Sequence, residues 1–518
     1  MKEQRQLTDG KRLARNSFLN LGTGVFIVGL NVAFVPLMLH SYGTELYGVL
    51  SATWMVLANL GWLDFGFSRA TARFVAQDLT IGRLERAALW TWTAVFSQAL
   101  LGLIGAIVLS YFAPFIVSHI HVKSGNERLV ILTLRLFAFS VPVDFASRSM
   151  IGVLQAGQRF DRVNGISLFN TISTFVVYGF GIWLGADFLV VIYGLFGSRI
   201  LGLLISYWAA LRVLPSLNSY SQLLTLPKAY WDHAVTMIKY GAWIAFASGV
   251  APLLLYFDQW IISFILGIAL LPIYMIPFSA IGKLSLLPSS LSSTLFPAFS
   301  ALHVKTEWDR IDEYFVRANR YLLTALIPMM FVLYVWAPEI FRLWLGHELA
   351  LQVTLPFRVL IFGFGAALLA PLSGTLMEAI GRPDIVVKLY MVELPFNIAI
   401  VWVLVRHYGI PGAALSFTVR ALLETSVLWL ILYRSIPLSG LRLLRMGFLR
   451  PCATLIPFGI MGHLIGEVSI LSYFDILATL LVLSVYIILV HWFVFDRRDK
   501  EFLWGLYARR NATTLSTV

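Results

Sequence analysis

The chain has 518 residues, of which 59% are hydrophobic and only 13% charged, with a net charge of +12 and a mean hydropathy of +0.80. Soluble domains carry roughly a quarter charged residues, so a water-solvated fold is excluded and the solvent must be lipid. The lone cysteine, Cys452, excludes an internal disulfide and says nothing about redox compartment.

A hydrocarbon core of roughly 30 Å takes about 20 helical residues to cross. Such stretches predict about 14 spans, at residues 17–39, 46–67, 88–112, 129–156, 163–184, 188–211, 238–262, 272–298, 321–337, 353–378, 385–405, 411–433, 447–466 and 473–495. Helices are expected because a barrel would show alternation in place of continuous apolar runs. The first run is longer than a signal-peptide core and no small-residue cleavage site closes it, so it reads as a retained helix.

Basic residues cluster in alternate loops. Lys2, Arg5, Lys11, Arg12 and Arg15 precede the first span, Arg69, Arg73, Arg83 and Arg86 follow the second, and Lys305, Arg310, Arg317 and Arg320 follow the eighth. Arg434, Arg442, Arg445 and Arg450 follow the twelfth, and Arg497, Arg498, Lys500, Arg509 and Arg510 close the chain. The other loops hold little more than Lys123, Arg128, Arg342 and Arg406. By the positive-inside rule both termini are expected in the cytoplasm, which requires an even number of spans. The surplus charge thus reads as topogenic, with no nucleic-acid partner implied.

Placing LRLFAFSVPVDFASRSMIGVLQAGQRFDRV over FRVLIFGFGAALLAPLSGTLMEAIGRPDIV without a gap aligns Arg135 with Arg358, Phe139 with Phe362, Ala156 with Ala379, Arg159 with Arg382, Asp161 with Asp384 and Val163 with Val386, at a constant offset of 223 residues. A nearly equal offset carries the segment near Gly43 onto that near Gly267. The pattern predicts a tandem duplication. The expected fold is an all-α polytopic membrane protein: a six-helix lobe at 16–212, a cytoplasmic linker at 213–237, a second six-helix lobe at 238–434, two further helices at 447–495 and a basic cytoplasmic tail at 496–518. An even span count per copy gives both lobes one orientation about an axis along the membrane normal, with a cavity expected between them.

Function should lie with charges inside spans, since an ionisable group at the bilayer centre costs at least about 2.5–3.5 kcal/mol and normally faces a partner or water. The cationic candidates for a substrate-binding cavity are Arg148, Arg199, Lys283 and Arg420, with Arg135 and Arg358 nearer the outer ends. Asp64, Asp144, Asp258, Glu393 and Glu424 are candidates for ion coupling or gating; Glu378 lies near the end of the tenth span. Bland alternatives accompany each: Asp144 with Arg148, and Arg420 with Glu424, are spaced to pair along one helix, Asp64 and Asp258 lie near span ends, and Arg135 and Arg358 can snorkel outward. Pro272, Pro277, Pro288 and Pro297 predict a kinked eighth span around Lys283, with nearby serines reclaiming freed carbonyls.

The opening unit, with Asn20, Pro36, the Gly43 to Gly48 turn with Tyr47, and the Asp64, Gly66, Arg73 run, resembles the first two spans of bacterial polysaccharide and O-antigen repeat-unit flippases, within the multidrug/oligosaccharidyl-lipid/polysaccharide exporter superfamily. The segment LYFDQWIISFILGIALLPIY, carrying Asp258, is similar to that family's seventh helix and its turn. The resemblance implies a flippase in the bacterial cytoplasmic (inner) membrane, moving a polyprenyl-diphosphate-linked oligosaccharide from the cytoplasmic to the outer leaflet by alternating access. Implied partners are that substrate, membrane lipids, glycan polymerase machinery, and protons or sodium ions; no cofactor or metal is implied. A multidrug antiporter and a peptidoglycan-precursor flippase of the same superfamily remain alternatives. An enzyme is disfavoured, since the chain has no HExxH, GxSxG, P-loop or Cys/His cluster with metal spacing.

Overall fold

A computed structural model describes residues 29–30, 32–54, 64–119, 126–218, 230–239, 254, 256–454 and 473–496. Parts of the first, second, seventh and thirteenth expected spans, part of the linker and nearly all of the basic tail lie outside these residues. The described chain is helical throughout, with no strand. Packing divides the molecule into two compact units, Met1–Met275 and Ile276–Val518.

In the first unit, α1 (residues 32–54) is broken at Gly43, where φ is +77°. There follow α2 (Phe67–Thr80), α3 (Leu84–His119), α4 (Glu127–Ala156), α5 (Phe160–Trp183), α6 (Phe188–Leu211), α7 (residues 230–239) and α8 (residues 256–265). The helix α9 (Leu271–Gly282) leads into the second unit, which continues with α10 (Leu286–Val304), α11 (Trp308–Val335), α12 (Ala337–Leu345), α13 (His347–Ala367), α14 (Ala370–Ala379) and α15 (Pro383–Ser435). A helical run with a wide central turn, Gly440–Arg442, Leu443–Leu449 and Arg450–Ala453 (together α16), precedes α17 (Tyr473–Leu489). Among the described residues, nine helical stretches are long and apolar enough to cross a membrane, and one of them, Pro383–Ser435, runs through a break at Gly409. Large apolar side chains such as Tyr111, Phe115, Trp183 and Trp492 stand exposed on these helices; in water they would be costly, in lipid they are solvated.

Backbone geometry repeats along the chain at the offset of the sequence duplication. Gly43 and Gly267, Gly82 and Thr306, Gln158 and Gly381, and Gly185 and Gly409 all have positive φ, and the members of each pair lie 223 or 224 residues apart. The turn after α4 closes with Arg159 N–H donating to Leu154 O at 2.9 Å, and the turn after α14 with Arg382 N–H donating to Met377 O at 2.8 Å. Both are six-residue closures around a left-handed residue, the geometry that satisfies a helix's last carbonyls. Each is followed by its acidic partner: Arg159 pairs with Asp161 at 2.9 Å and Arg382 with Asp384 at 3.6 Å. The twice-occurring Arg-x-Asp is therefore a helix stop joined to the next helix start, where a carboxylate also favours the positive end of the dipole.

Close helix packing depends on small residues. A Cβ on Gly102 of α3 would come within 2.7 Å of Pro142 in α4, which lets the two longest helices of the first unit pass each other. Phe67, Trp90, Met150, Val153, Leu214 and Met237 form one buried core, tying α7 to α2, α3 and α4. In the second unit Phe278, Phe364 and Phe417 form a ring cluster with centroids 4.8 to 5.1 Å apart. The expected kink in the eighth span is present: α9 and α10 are separated by a tight 3-10 turn, Lys283–Ser285. Pro288 removes the donor that would bond Leu284 and crowds that carbonyl, while Ser289 and Ser290 donate to Leu286 O and Leu287 O at 3.0 and 2.9 Å.

Ion pairs pin the C-terminal helices. Arg320 of α11, 1% exposed, pairs with Asp496 at 2.7 Å, and Arg450 pairs with the same carboxylate at 3.2 Å. Arg442 pairs with Asp312 at 3.0 Å, and Ser439 N–H donates to it at 3.1 Å. Burial pushes the Asp496 carboxyl up, but the hydrogen bonds and charges of Arg320 and Arg450 outweigh it and hold the group below the usual carboxylate range.

Candidate functional site

Arg199 forms part of the wall of a cavity of 380 Å³ inside the first unit. Three helices supply it. From α1 come Tyr47, Ser51 and Trp54, one face of a helix at near-one-turn spacing; from α5 come Asn170, Thr174 and Tyr178, an unbroken i, i+4, i+8 stripe. Arg199 of α6 lies with its guanidinium 4.9 Å from the centre of the Trp54 ring and 3.8 Å from Asp144 of α4. Trp54 Nε1–H donates to the Tyr178 hydroxyl at 3.4 Å. Gly202, one turn beyond Arg199, is small because Asn170 needs the space: a Cβ there would collide with Asn170 Oδ1. Among the residues lining this cavity Arg199 alone is charged. The lining combines a cation stacked on an aromatic face with ring planes, an amide and hydroxyls, groups that can hold a ring-shaped polyhydroxyl ligand and an anionic neighbour.

The structure sorts the other candidates. Asp144 takes Arg199 and not Arg148, its i+4 neighbour, so its ion pair bridges helices. Arg148 is exposed, with its guanidinium 5.4 Å from the Phe145 ring centre. Asp64 accepts from Ser68 N–H at 3.3 Å and from Gln98 Nε2–H, whose own Oε1 accepts from the Ser149 hydroxyl. That chain joins α2, α3 and α4 through Asp64. Asp258, fully buried, accepts from the Tyr274 hydroxyl at 2.9 Å. Arg135 Nε–H of α4 donates to Ser110 O of α3 at 3.4 Å and Arg358 Nε–H of α13 to Tyr334 O of α11 at 3.1 Å, so these repeat-related arginines bond carbonyls at repeat-related positions. Lys283 is exposed on the turn between α9 and α10, and Glu378 sits in the last turn of α14.

In the second unit Arg420 pairs with Glu424 at 3.0 Å, as its i+4 spacing predicts, and also with Glu393 at 3.6 Å from the preceding arm of α15. The arms meet because Gly409 adopts φ +62° and ψ −137°, a conformation that side chains rarely allow. Reading charges alone missed Trp54, Asn170, Thr174 and Tyr178; their signal was polar and aromatic residues repeating at helical spacing inside apolar spans. Among the described residues no group of three His, Cys, Asp or Glu side chains is placed to hold a metal.

Helices of this length and hydropathy, repeated in two units, define a multi-pass all-α membrane protein. The fold matches those of solved membrane transporters. An inward-facing multidrug resistance MATE family transporter of the MOP superfamily is 13% identical, covers 81% of this chain and 98% of its own, and aligns with a TM-score of 0.61. The lipid II flippase MurJ in an inward closed conformation is 14% identical over 91% of this chain and 98% of its own, with a TM-score of 0.67. Residues 43–352, more than half of the chain, match the family described as polysaccharide biosynthesis protein. The chain belongs to that family. A Shigella flexneri protein assigned as an O-antigen transporter is 22% identical over 81% of this chain and 97% of its own length. A protein of Haloferax volcanii assigned as a low-salt glycan biosynthesis flippase is 22% identical over 80% of this chain and 83% of its own.

Proposed function

We propose that this protein is a flippase, not an enzyme, carrying a lipid-linked oligosaccharide across the membrane. The observation that carries the reading is the Arg199 cavity, whose lining is cationic, aromatic and hydrogen-bonding at once. A prenyl-diphosphate sugar presents an anion beside hydroxyl-rich rings, and those two chemistries are matched by a guanidinium fork and by ring faces with amide and hydroxyl partners. A cavity for cationic drugs would be expected to present net negative charge, which favours the glycan reading over a multidrug antiporter.

In the finer reading, the substrate moves from the cytoplasmic to the outer leaflet of a bacterial inner membrane by alternating access of the lobes at 16–212 and 238–434, with both termini cytoplasmic. Glycan polymerase machinery would receive the product. The prenyl tail stays in lipid while the head group crosses, so the protein need shield only charge and hydroxyls.

The test is complementation of a strain lacking the protein, reading sugar-lipid on the outer leaflet. Arg199→Ala should lose delivery by about tenfold or more while inserting normally, since one charge-assisted contact is worth roughly 1.5–3 kcal/mol. Wild-type rescue of drug resistance without glycan export would overturn the reading.

A further inference from the structure

The buried middle of the α15 hairpin holds two carboxylates against one cation. Arg420, Glu424 and Glu393 are exposed by 7, 9 and 11% of their side chains, so one guanidinium faces two carboxylates away from solvent. Glu424 is well served, receiving Arg420 at 3.0 Å and the Tyr390 hydroxyl. Glu393 has only the longer contact to Arg420, and neither of its oxygens has a hydrogen-bond donor among the described residues. The register that sets Glu393 against Arg420 sets Asn397, one turn on, opposite Ser416, one turn back. Asn397 is 2% exposed and Ser416 fully buried, and their side-chain polar atoms also lack partners among the described residues.

No other charge corrects the imbalance. Of the neighbouring helices, α13 carries His347 and Glu348 at its start and Arg358, which is turned to Tyr334 O. Glu378 lies at the end of α14, and α9, whose Phe278 touches Phe417, carries no acidic or basic residue. On the hairpin itself Lys388 is committed to Asp384 at 2.8 Å, and Arg406, His407 and Arg434 are exposed, toward the turn or the far end. The charges acting on Glu393 are Glu424 and Arg420.

We propose that Glu393 is an exchangeable proton site, holding one proton for the Glu393, Arg420, Glu424 trio, and that its loading and release accompany the transport cycle. Two carboxylates sharing one cation in a low dielectric cannot both stay ionised at ease. Protonation forms an O–H bond at a Glu393 oxygen with a proton drawn from water, leaving an Arg420–Glu424 pair of zero net charge; release returns the proton to water. A protonated Glu393 also becomes a donor, suited to the orphaned amide oxygen of Asn397 or hydroxyl of Ser416. A metal cation is disfavoured because Arg420, 3.6 Å away, would repel it. The coupling half of the proposal rests on the flippase reading; the proton site itself does not.

Infrared difference spectroscopy of the full chain in liposomes, as a function of pH and without substrate, tests the site. One protonated-carboxyl band is expected to appear and disappear reversibly with pH. Glu393→Gln should abolish it, Glu393→Asp should move its frequency, and Glu424→Asp should leave the frequency unchanged. No such band, a band moved by Glu424→Asp and not by Glu393→Asp, or a band displaced by sodium chloride at constant pH would each overturn the assignment. Coupling is read separately, as lipid-linked glycan translocation under a pH gradient. Wild type should respond by up to about tenfold per pH unit, the factor that one proton supplies, and Glu393→Gln should translocate without regard to the gradient. A response kept in Glu393→Gln overturns the coupling, whereas no translocation by wild type with the band intact refutes the flippase reading and spares the site.

Discussion

Gln158 and Gly381 hold the same position in two copies of one turn, with φ of +53° and +81°. Each lies one residue before an arginine whose N–H closes the preceding helix. Only the second copy uses the residue that adopts this conformation without strain. Space around Gly381 is open, since a Cβ there would meet nothing within 4 Å. Gly381→Ala should therefore destabilise by about 1 kcal/mol through backbone strain alone, read as a drop in thermal unfolding temperature in detergent with transport retained. Gln158→Gly should cost no stability at the mirrored site.

The same pair shows what sequence could and could not disclose. Solvent, helix type and most span limits were legible because apolar length against bilayer thickness is a one-dimensional property; α6 coincides with its expected span at 188–211. The duplication was legible as offset identities around Arg159 and Arg382, yet the reason for those identities is a backbone conformation, and Gln158 does not resemble Gly381. Among site residues, the Arg420–Glu424 pair followed from spacing on one helix. The Arg199–Asp144 and Arg420–Glu393 pairs did not, because they join different helices or the two arms of a hairpin and depend on packing that no local pattern encodes.

Gly202 offers a test of the cavity that leaves its charge alone. A side chain there must displace Asn170, whose Oδ1 would collide with the added Cβ. Gly202→Leu should fill the space beside Arg199 and lower glycan delivery about tenfold or more at normal protein levels, the scale of one lost charge-assisted contact of roughly 1.5–3 kcal/mol. Gly197, whose Cβ would meet nothing within 4 Å, is the control: Gly197→Ala should leave delivery unchanged.

Arg199 and Trp54 make a cation–ring contact that discriminates shape from charge. Arg199→Lys keeps the cation but loses the planar fork and much of its stacking on the indole. Delivery by Arg199→Lys should fall between wild type and Arg199→Ala, and Trp54→Leu should lower delivery while leaving Arg199 its Asp144 partner. Equal loss in the lysine and alanine variants would show that fork geometry, and not charge, carries recognition.

Asp496, just past α17, joins that helix to α11 and α16 through Arg320 and Arg450, and its depressed carboxyl pKa gives that joint a pH signature. The unfolded chain, with an aspartate pKa of about 3.9, takes up a proton before the folded chain does. The stabilisation is therefore complete above about pH 4 to 5 and is lost as pH falls through the folded value. Asp496→Asn should lower the unfolding temperature at neutral pH, and the gap from wild type should hold steady down to about pH 5 and then narrow on further acidification. Part of the loss has a separate origin: Arg320 is 1% exposed and would keep its buried charge without its nearest carboxylate. Asp496→Glu, which restores a carboxylate at slightly different reach, should recover both the temperature and its acid dependence in part.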